Sequence, residues 1–502
     1  MIDISMSWLL LATLSSLTIL WVWIKTRFPY SKLNIPPFPV QPWLLVGHFP
    51  AMFGNLRDKL KEWRQTGGDI YSLVLGGELH IVVNDFDAIK DILTKQADKI
   101  VNLPKTFAEE VLQEHNTGII SGRDDNWKEQ RTISLSILRS FGMGKNIMAD
   151  KIGEEVAVII DKLAALRGEP TDVRFLLNIS VSNVICSVTV GKRFEHDDPY
   201  FCNLIAQVNC LMKHLNAVVL LTPFKQLYYL PGDIFKAKKW VKATHEVNEM
   251  FSKAFVSKLK TDFSEDQEAD NFVVAYLQEM KKKNTKGANS KLDERNLIAI
   301  IRTLFLAGTE TTSTTILWCL LYMLHHPEVQ NKVYQEIEAH VGTTRVPNMS
   351  DKPRLVYLSA VIMETQRLAS IALTGLRREV SKTFEYRGFT FPKGSIIWPV
   401  LDSVHHDKNI WGDPETFRPQ RFIDDNGALI NHEKLIPFSI GRRACLGESL
   451  ARMELYLFLS AMFQRFIFEP ADGSGQLPTL KENFGGTMVP FPFQLRFIKR
   501  RC

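Results

Sequence analysis

The chain has 502 residues, 45% hydrophobic and 23% charged, ordinary values that exclude collagen-like, low-complexity and wholly disordered classes. Six cysteines in that length exclude a disulfide scaffold. With 61 basic and 55 acidic side chains the net charge is +6, which fits an anionic lipid surface, an acidic partner or plain solubility; no basic stretch interleaved with aromatics suggests nucleic acid.

Residues 6–24 (MSWLLLATLSSLTILWVWI) are 19 consecutive residues without a charge. As a helix they would measure about 28 Å, close to the hydrocarbon thickness of a bilayer. Trp21 and Trp23 suit the interface, and Lys25, Arg27 and Lys32 keep the rest of the chain on the cytosolic side. A cleaved secretory signal is the competing reading, but its leader would be basic, and here it carries Asp3 and no base. No second segment is long and apolar enough to span. The sequence therefore predicts a one-pass anchor over residues 1–28. Four prolines in residues 35–42 (IPPFPVQP) favour extended polyproline geometry, so residues 29–48 read as a hinge before a body over residues 49–502.

The body opens on β signals. Residues 70–75 and 79–83 flank Gly76-Gly77, a two-residue hairpin. From about residue 85 to 380 the spacing is mostly helical. Trp127 and Arg131 stand one turn apart, an aromatic N–H and a guanidinium that suit a ligand carboxylate or phosphate, or simply an amphipathic helix. The lysine-rich stretch at 281–286 reads as a solvated connector. A long apolar helix over 297–324 contains Ala307-Gly308-Thr309-Glu310-Thr311-Thr312. These are weak helix formers at mid-helix, permitting a kink or an opening in the hydrogen-bond ladder. Glu310 beside Thr311 is either part of a kinked core helix or an acid and an alcohol that move protons. Pro327 opens the next helix, which stops at Gly342.

Glu364 and Arg367 share one helix face, and Arg421 could bring a second guanidinium to the same carboxylate, making a buried clamp instead of a weak surface pair. β signals return at residues 384–391 and 491–497. Between them lies Cys445, bracketed by Gly441 and Gly447, preceded by Arg442 and Arg443, and placed just before a helix-forming run. Backbone N–H groups, two cations and a helix N-terminus all favour a thiolate, hence a nucleophile or a soft metal ligand. His405, His406 and His432 supply no recognisable cysteine-hydrolase context, and the pairs His325-His326 and His405-His406 lack zinc-site spacing; helix ends and turns account for them. No internal repeats occur, and a mostly helical body with small β elements near both ends predicts one α+β domain, mainly α.

Together these motifs resemble the cytochrome P450 family over essentially the full length. Phe438-x-x-Gly441-x-Arg443-x-Cys445-x-Gly447 is complete, and ahead of it stand Trp127-x-x-x-Arg131, Ala307-Gly308-x-Glu310-Thr311, Glu364-x-x-Arg367 and Pro419-x-Arg421-Phe422. The anchor and hinge look like the microsomal class, and Arg443-Ala-Cys-Leu-Gly-Glu-Ser-Leu-Ala looks most like its second family, the xenobiotic- and fatty-acid-oxidising group. The resemblance implies one large helical haem domain with small β-sheets behind a single transmembrane helix. Haem b would be bound with Cys445 as axial thiolate, and Trp127, Arg131, Arg378 and Arg443 on its propionates, with Ala307 beside it. Glu310 and Thr311 would relay protons to the reacting oxygen. Glu364, Arg367 and Arg421 would form a structural triad. Phe107, Phe305, Ala307, Leu373, Thr374 and Met488 would line the substrate pocket. Residues 223–231, with Phe224, Tyr228 and Tyr229, would touch the membrane a second time.

The implied activity is a monooxygenase acting on apolar fatty acids, steroids or xenobiotics, at the endoplasmic reticulum membrane and facing the cytosol. Its electrons would come from NADPH through cytochrome P450 reductase, with cytochrome b5 as a further partner and no role for nucleic acid. A reductase-independent peroxide isomerase and a non-enzymatic haem binder are the alternatives; both sit poorly with the intact Glu310-Thr311 pair. The chain departs from the family in carrying Phe38 for a hinge glycine, and Leu373 and Arg377 for two prolines that stiffen the strand over the haem. Arg377 and Arg378 compete for one propionate; register favours Arg378. The sequons at Asn178 and Asn348 would go unmodified on a cytosolic body. The cysteines at 186, 202, 210, 319 and 502 have no motif spacing and read as reduced and structural.

Overall fold

Helices fill most of the chain, with short strands gathered near its two ends. The computed structural model describes residues 4–27, 33–43, 46–141, 146–264, 267–285, 287, 289–472 and 475–500. The N-terminal part holds α1 (Ile4–Arg27), α2 (Leu56–Gly67), β1 (Ile70–Leu75), β2 (Glu78–Val83), α3 (Phe86–Lys95), α4 (Phe107–Val111) and α5 (Asp124–Ser140). Next come α6 (Asn146–Ala165), α7 (Arg174–Thr189), α8 (Pro199–Leu221) and α9 (Ala237–Met250), which a π-helical stretch, Phe251–Ser257, joins to α10 (Lys258–Thr261). α11 (Phe272–Thr285), α12 (Glu294–His325), α13 (Pro327–His340) and α14 (Val356–Ala369) follow. The last part holds β3 (Arg378–Glu379), β4 (Phe384–Tyr386), β5 (Phe389–Phe391), β6 (Ile396–Pro399), α15 (Leu401–His405), α16 (Lys408–Trp411), α17 (Glu448–Arg465), β7 (Phe466–Pro470), β8 (Glu482–Phe484), β9 (Met488–Pro490) and β10 (Leu495–Lys499).

Local chemistry sets several of these limits. Gly76 and Gly77 both take positive φ, 57° and 85°, as a tight turn between right-twisted strands requires. Asp293 caps α12, its Oδ1 accepting from the Asn296 N–H at 2.7 Å. Pro327 is the first residue of α13. Strand order in the main sheet is β1-β2-β6-β3, with β2 and β6 parallel and the other pairs antiparallel. β7 and β10 pair, as do β4 with β5 and β8 with β9. The expected strand over 491–497 begins only at Leu495.

One large apolar core joins α5 to α9 with α11 to α14, α17 and the β7–β10 pair, and smaller clusters underlie the main sheet. α12 runs through it as an unbroken α-helix. The kink or opening that 307–312 would permit is not seen, and the hydroxyls there bond within the helix: Thr311 Oγ1 donates to Ala307 O at 2.8 Å, and Ser313 Oγ to Thr309 O at 2.7 Å.

The proline-rich stretch lies against the body: Pro37 O accepts from the Ser72 N–H at 2.8 Å, and Ile35 and Phe38 pack beside the sheet. α1 is continuous, and its side chains at 7–22 are almost all exposed. Among the described residues no helix is both long and apolar enough to cross a membrane. The side chains of Trp23, Lys25, Arg27 and Pro223, together with Lys32, Lys286 and Cys502, lie outside the described residues. Asn178 of the first sequon is buried and donates to Asn209 Oδ1 at 2.9 Å.

Candidate active site

Cys445 sits in a turn just ahead of α17. Its own N–H donates to Phe438 O at 2.9 Å, and Gly441 holds φ at +79° where a Cβ would fall 2.3 Å from Leu93 O, so only glycine fits. The Gly447 N–H is directed at the sulfur. Burial raises the thiol pKa, Glu448 adds to this, and the Gly447 N–H and Arg131 oppose them. Arg442 points outward to Asp98 at 2.6 Å. Arg443 turns the other way, donating to the carbonyls of Val101 (3.0 Å), Ile119 (2.8 Å) and Gly122 (2.8 Å) and lying 4.1 Å from the centre of the Trp127 ring. A sulfur so placed loses its proton when a metal binds it.

Around this turn stand three cations, Arg378 and Arg443 buried and Arg131 half-buried, with no counter-charge among the described residues. Arg131 Nη2 donates to Ala444 O at 2.8 Å, and Arg378 Nη1 to Leu376 O at 2.6 Å. Burial lowers the pKa of Arg131; burial and then Arg131 lower that of Arg378 to about 10; burial and then Arg378, Arg131 and Arg123 lower that of Arg443 to about 9. Neighbouring Arg123 has its own carboxylate, Glu109, at 2.8 Å. Arg131, Arg378 and Arg443 pair with none among the described residues, and the buried Trp127 Nε1 has no acceptor. Three crowded guanidiniums and an orphan N–H make a receptor for anions. They fit the two carboxylates of a haem whose metal Cys445 would ligate. Arg377, the competing candidate, instead stacks on Trp398, 3.9 Å from the ring centre.

On α12, Ala307 is exposed although its helix is otherwise deep in the core, and Gly308 and Thr311 are partly exposed. The two residues expected to act as a pair point different ways. Thr311 bonds within the helix, whereas Glu310 Oε1 accepts from Thr487 Oγ1 at 3.2 Å, in the turn between β8 and β9. Burial raises the Glu310 pKa, opposed by the Thr487 hydroxyl and Arg174, so the carboxyl leans toward its protonated form.

Glu364, Arg367 and Arg421 come together. Arg367 grips Glu364 at 2.8 and 2.9 Å, Arg421 Nε reaches the same carboxylate at 3.1 Å, and the Arg418 N–H adds 2.8 Å. Glu364 and Arg367 are wholly buried. Arg367 Nη1 also donates to His405 O at 2.7 Å. His405 takes a hydrogen bond from the Ile436 N–H at 3.1 Å; burial first, with nearby cations and despite Asp402, lowers its pKa to about 3, so this histidine is a neutral strut.

The expected pocket residues separate into two groups. Ala307 and Thr374 present surface; Phe107, Phe305, Leu373 and Met488 are buried in packed clusters. Phe305 turns toward Phe251, with ring centres 5.2 Å apart, and Phe107 toward Tyr228 at 5.1 Å. Leu373 and Met488 share a cluster with Trp398, and an isolated bridge joins Thr374 to Val400. Two functional candidates escaped the sequence reading, Thr487 and Glu454. Glu454 had a legible signal, a lone acid inside the apolar run of α17; Thr487 had none.

A family model described as Cytochrome P450 matches residues 36–497. Cytochrome P450 2U1 of Homo sapiens is 34% identical over 96% of this chain and 91% of its own length. Cytochrome P450 2D10 of Mus musculus is 35% identical over 93% and 92%. Cytochrome P450 2J2 of Homo sapiens is 36% identical over 94% and 92%.

Proposed function

Since the chain belongs to the cytochrome P450 family, and within it to the second family, as a haem-thiolate monooxygenase, we propose that Cys445 is its axial ligand and that its substrates are small apolar molecules drawn from a membrane. Haem bound there supplies oxygen activation, which lets one oxygen atom of O₂ enter a substrate while the other leaves as water. The carrying observation is the unpaired cation cluster beside the cysteine. In this reading Arg131, Arg378 and Arg443 take the propionates, and the Trp127 N–H finds its acceptor there. Their mutual repulsion, unrelieved within the chain, becomes binding energy when an anion enters.

Glu310 and Thr311 divide the proton work. Glu310, kept toward its protonated form by burial, is a proton source at the β8–β9 turn. Thr311, on the part of α12 that bears exposed Ala307, presents a hydroxyl oxygen able to accept while its hydrogen is held by Ala307 O. The Glu364–Arg367–Arg421 clamp holds α14 to the chain leading to Cys445.

Residues 1–28 would anchor the body in the endoplasmic reticulum membrane with the catalytic domain in the cytosol. Supporting this, α1 is a continuous helix, and Tyr229, Leu230 and Ile234 stand exposed on the body, Tyr229 at 77%. Electrons would reach the haem from NADPH through cytochrome P450 reductase, with cytochrome b5 as a second donor. The deciding experiment is the reduced, carbon-monoxide-bound spectrum of the wild type and of Cys445→Ala, with product analysis in the presence of reductase and NADPH. Thiolate ligation and NADPH-dependent oxygenated product are expected, both lost in Cys445→Ala. An imidazole-type band, or activity surviving the substitution, would sink the assignment.

A further inference from the structure

We propose that Glu454 is a positioning residue that fixes the Thr311 turn of α12 against α17, the helix that begins at the Cys445 turn. The proposal rests on the reading of Cys445 and Thr311 above.

Glu454 is buried in mid-helix, between Met453 and Leu455, where α17 otherwise turns apolar side chains into the core. Its Oε2 accepts from Thr312 Oγ1 at 3.0 Å, and its buried Oε1 has no partner. Thr312 is itself buried and directly follows Thr311. Gly447, whose N–H is directed at the Cys445 sulfur, caps the same helix. The seven residues from Glu448 to Glu454 are helix about 10 Å long, directly after the Gly447 cap. One stiff rod thus carries the sulfur turn at its start and grips α12 beside Thr311 two turns later.

The grip depends on protonation. α6, α12, α13, α14 and β7 pack on α17, and among the described residues none brings a charged side chain to bear on Glu454; Glu448 and Arg452 of α17 pair with each other at 2.9 Å. Burial alone pushes the Glu454 pKa up, against the Thr312 hydroxyl, to about 8. The folded state therefore holds a proton that the unfolded chain releases near the ordinary carboxylate value. Stability falls as pH rises through that value and levels off above about 8. An ionised Glu454 would be a buried charge without a cation and would loosen the contact.

The test uses the full-length, haem-loaded chain as wild type, Glu454→Gln and Thr312→Val, with melting midpoints and reduced carbon-monoxide spectra from pH 6 to 9.5. Glutamine keeps the shape and an acceptor oxygen and cannot ionise. In the wild type we expect the melting midpoint to fall up to about pH 8 and then level, and the thiolate-type share of the spectrum to fall above that pH. Glu454→Gln should abolish both pH dependences and keep product formed per NADPH at pH 7 within about twofold. Thr312→Val, which removes the group that lowers the Glu454 pKa, should move the break to higher pH and cut product per NADPH severalfold. A Glu454→Gln melting profile that tracks the wild type, or Thr312→Val with unchanged coupling of NADPH to product, would overturn the proposal. A wild-type spectrum of imidazole type at pH 7 would count against Cys445 instead, while the melting series still decides Glu454.

Discussion

A carboxylate with two guanidiniums and a backbone N–H at wholly buried Glu364 is a different object from a surface ion pair. Its desolvation is already suffered, so removing one member strands the others. Glu364→Gln should therefore destabilise by about 3–5 kcal/mol, read as a lower melting midpoint and faster haem loss. Arg367→Lys should be nearly as harmful, because an ammonium cannot hold the bidentate contact and reach His405 O as well. This clamp was legible in the sequence, since spacing three apart on a helix fixes the first pair. The direction of Arg443 was not. Its partners Val101, Ile119 and Gly122 are more than 300 residues away in the chain, and no local pattern reveals a carbonyl aimed from that distance.

At the scale of elements, the loop between α4 and α5 shows how one backbone conformation serves the site. Gly118 takes φ +62°, donates its N–H to Asn296 Oδ1 at 2.8 Å, and approaches α12 so closely that a Cβ would lie 2.9 Å from Ala299 Cβ. Gly118→Ala should cost about 1–2 kcal/mol from the left-handed backbone alone, with overlap added. The same loop supplies the Ile119 and Gly122 carbonyls to Arg443, so haem affinity should fall with the melting midpoint; haem transfer to an acceptor protein measures it. The hairpin β1–β2 was readable because Gly76-Gly77 is a local signal. β6 was not, because four residues ending in Pro399 carry too little periodicity, and its place is decided by β2 and β3 on either side. α12 was readable as a helix but ambiguous at 307–312, because weak helix formers crowd its middle there.

For the whole molecule, the question is how much of the membrane attachment lies in the anchor. Exposed Tyr229, Leu230 and Ile234 lie far along the chain from α1. A variant lacking residues 1–28 should keep the spectrum of the full chain and still pellet with lipid vesicles in part, at high salt as well as low. Adding Tyr229→Glu and Ile234→Glu should release it, since apolar contact persists where ionic attraction is screened. Vesicle sedimentation measures both.

The parallel pairing of β2 with β6 joins His80–Val83 to Ile396–Pro399, reinforced by the Trp398 Nε1–H to His80 Nδ1 hydrogen bond at 2.8 Å. A ribosome adding about 5–20 residues per second needs roughly 15–60 s to travel from one strand to the other. Throughout that interval the finished N-terminal hairpin presents an unpaired edge, the kind of edge that recruits other chains. Completion of this sheet therefore waits for most of the chain to be made, and until then the hairpin edge is exposed to other chains.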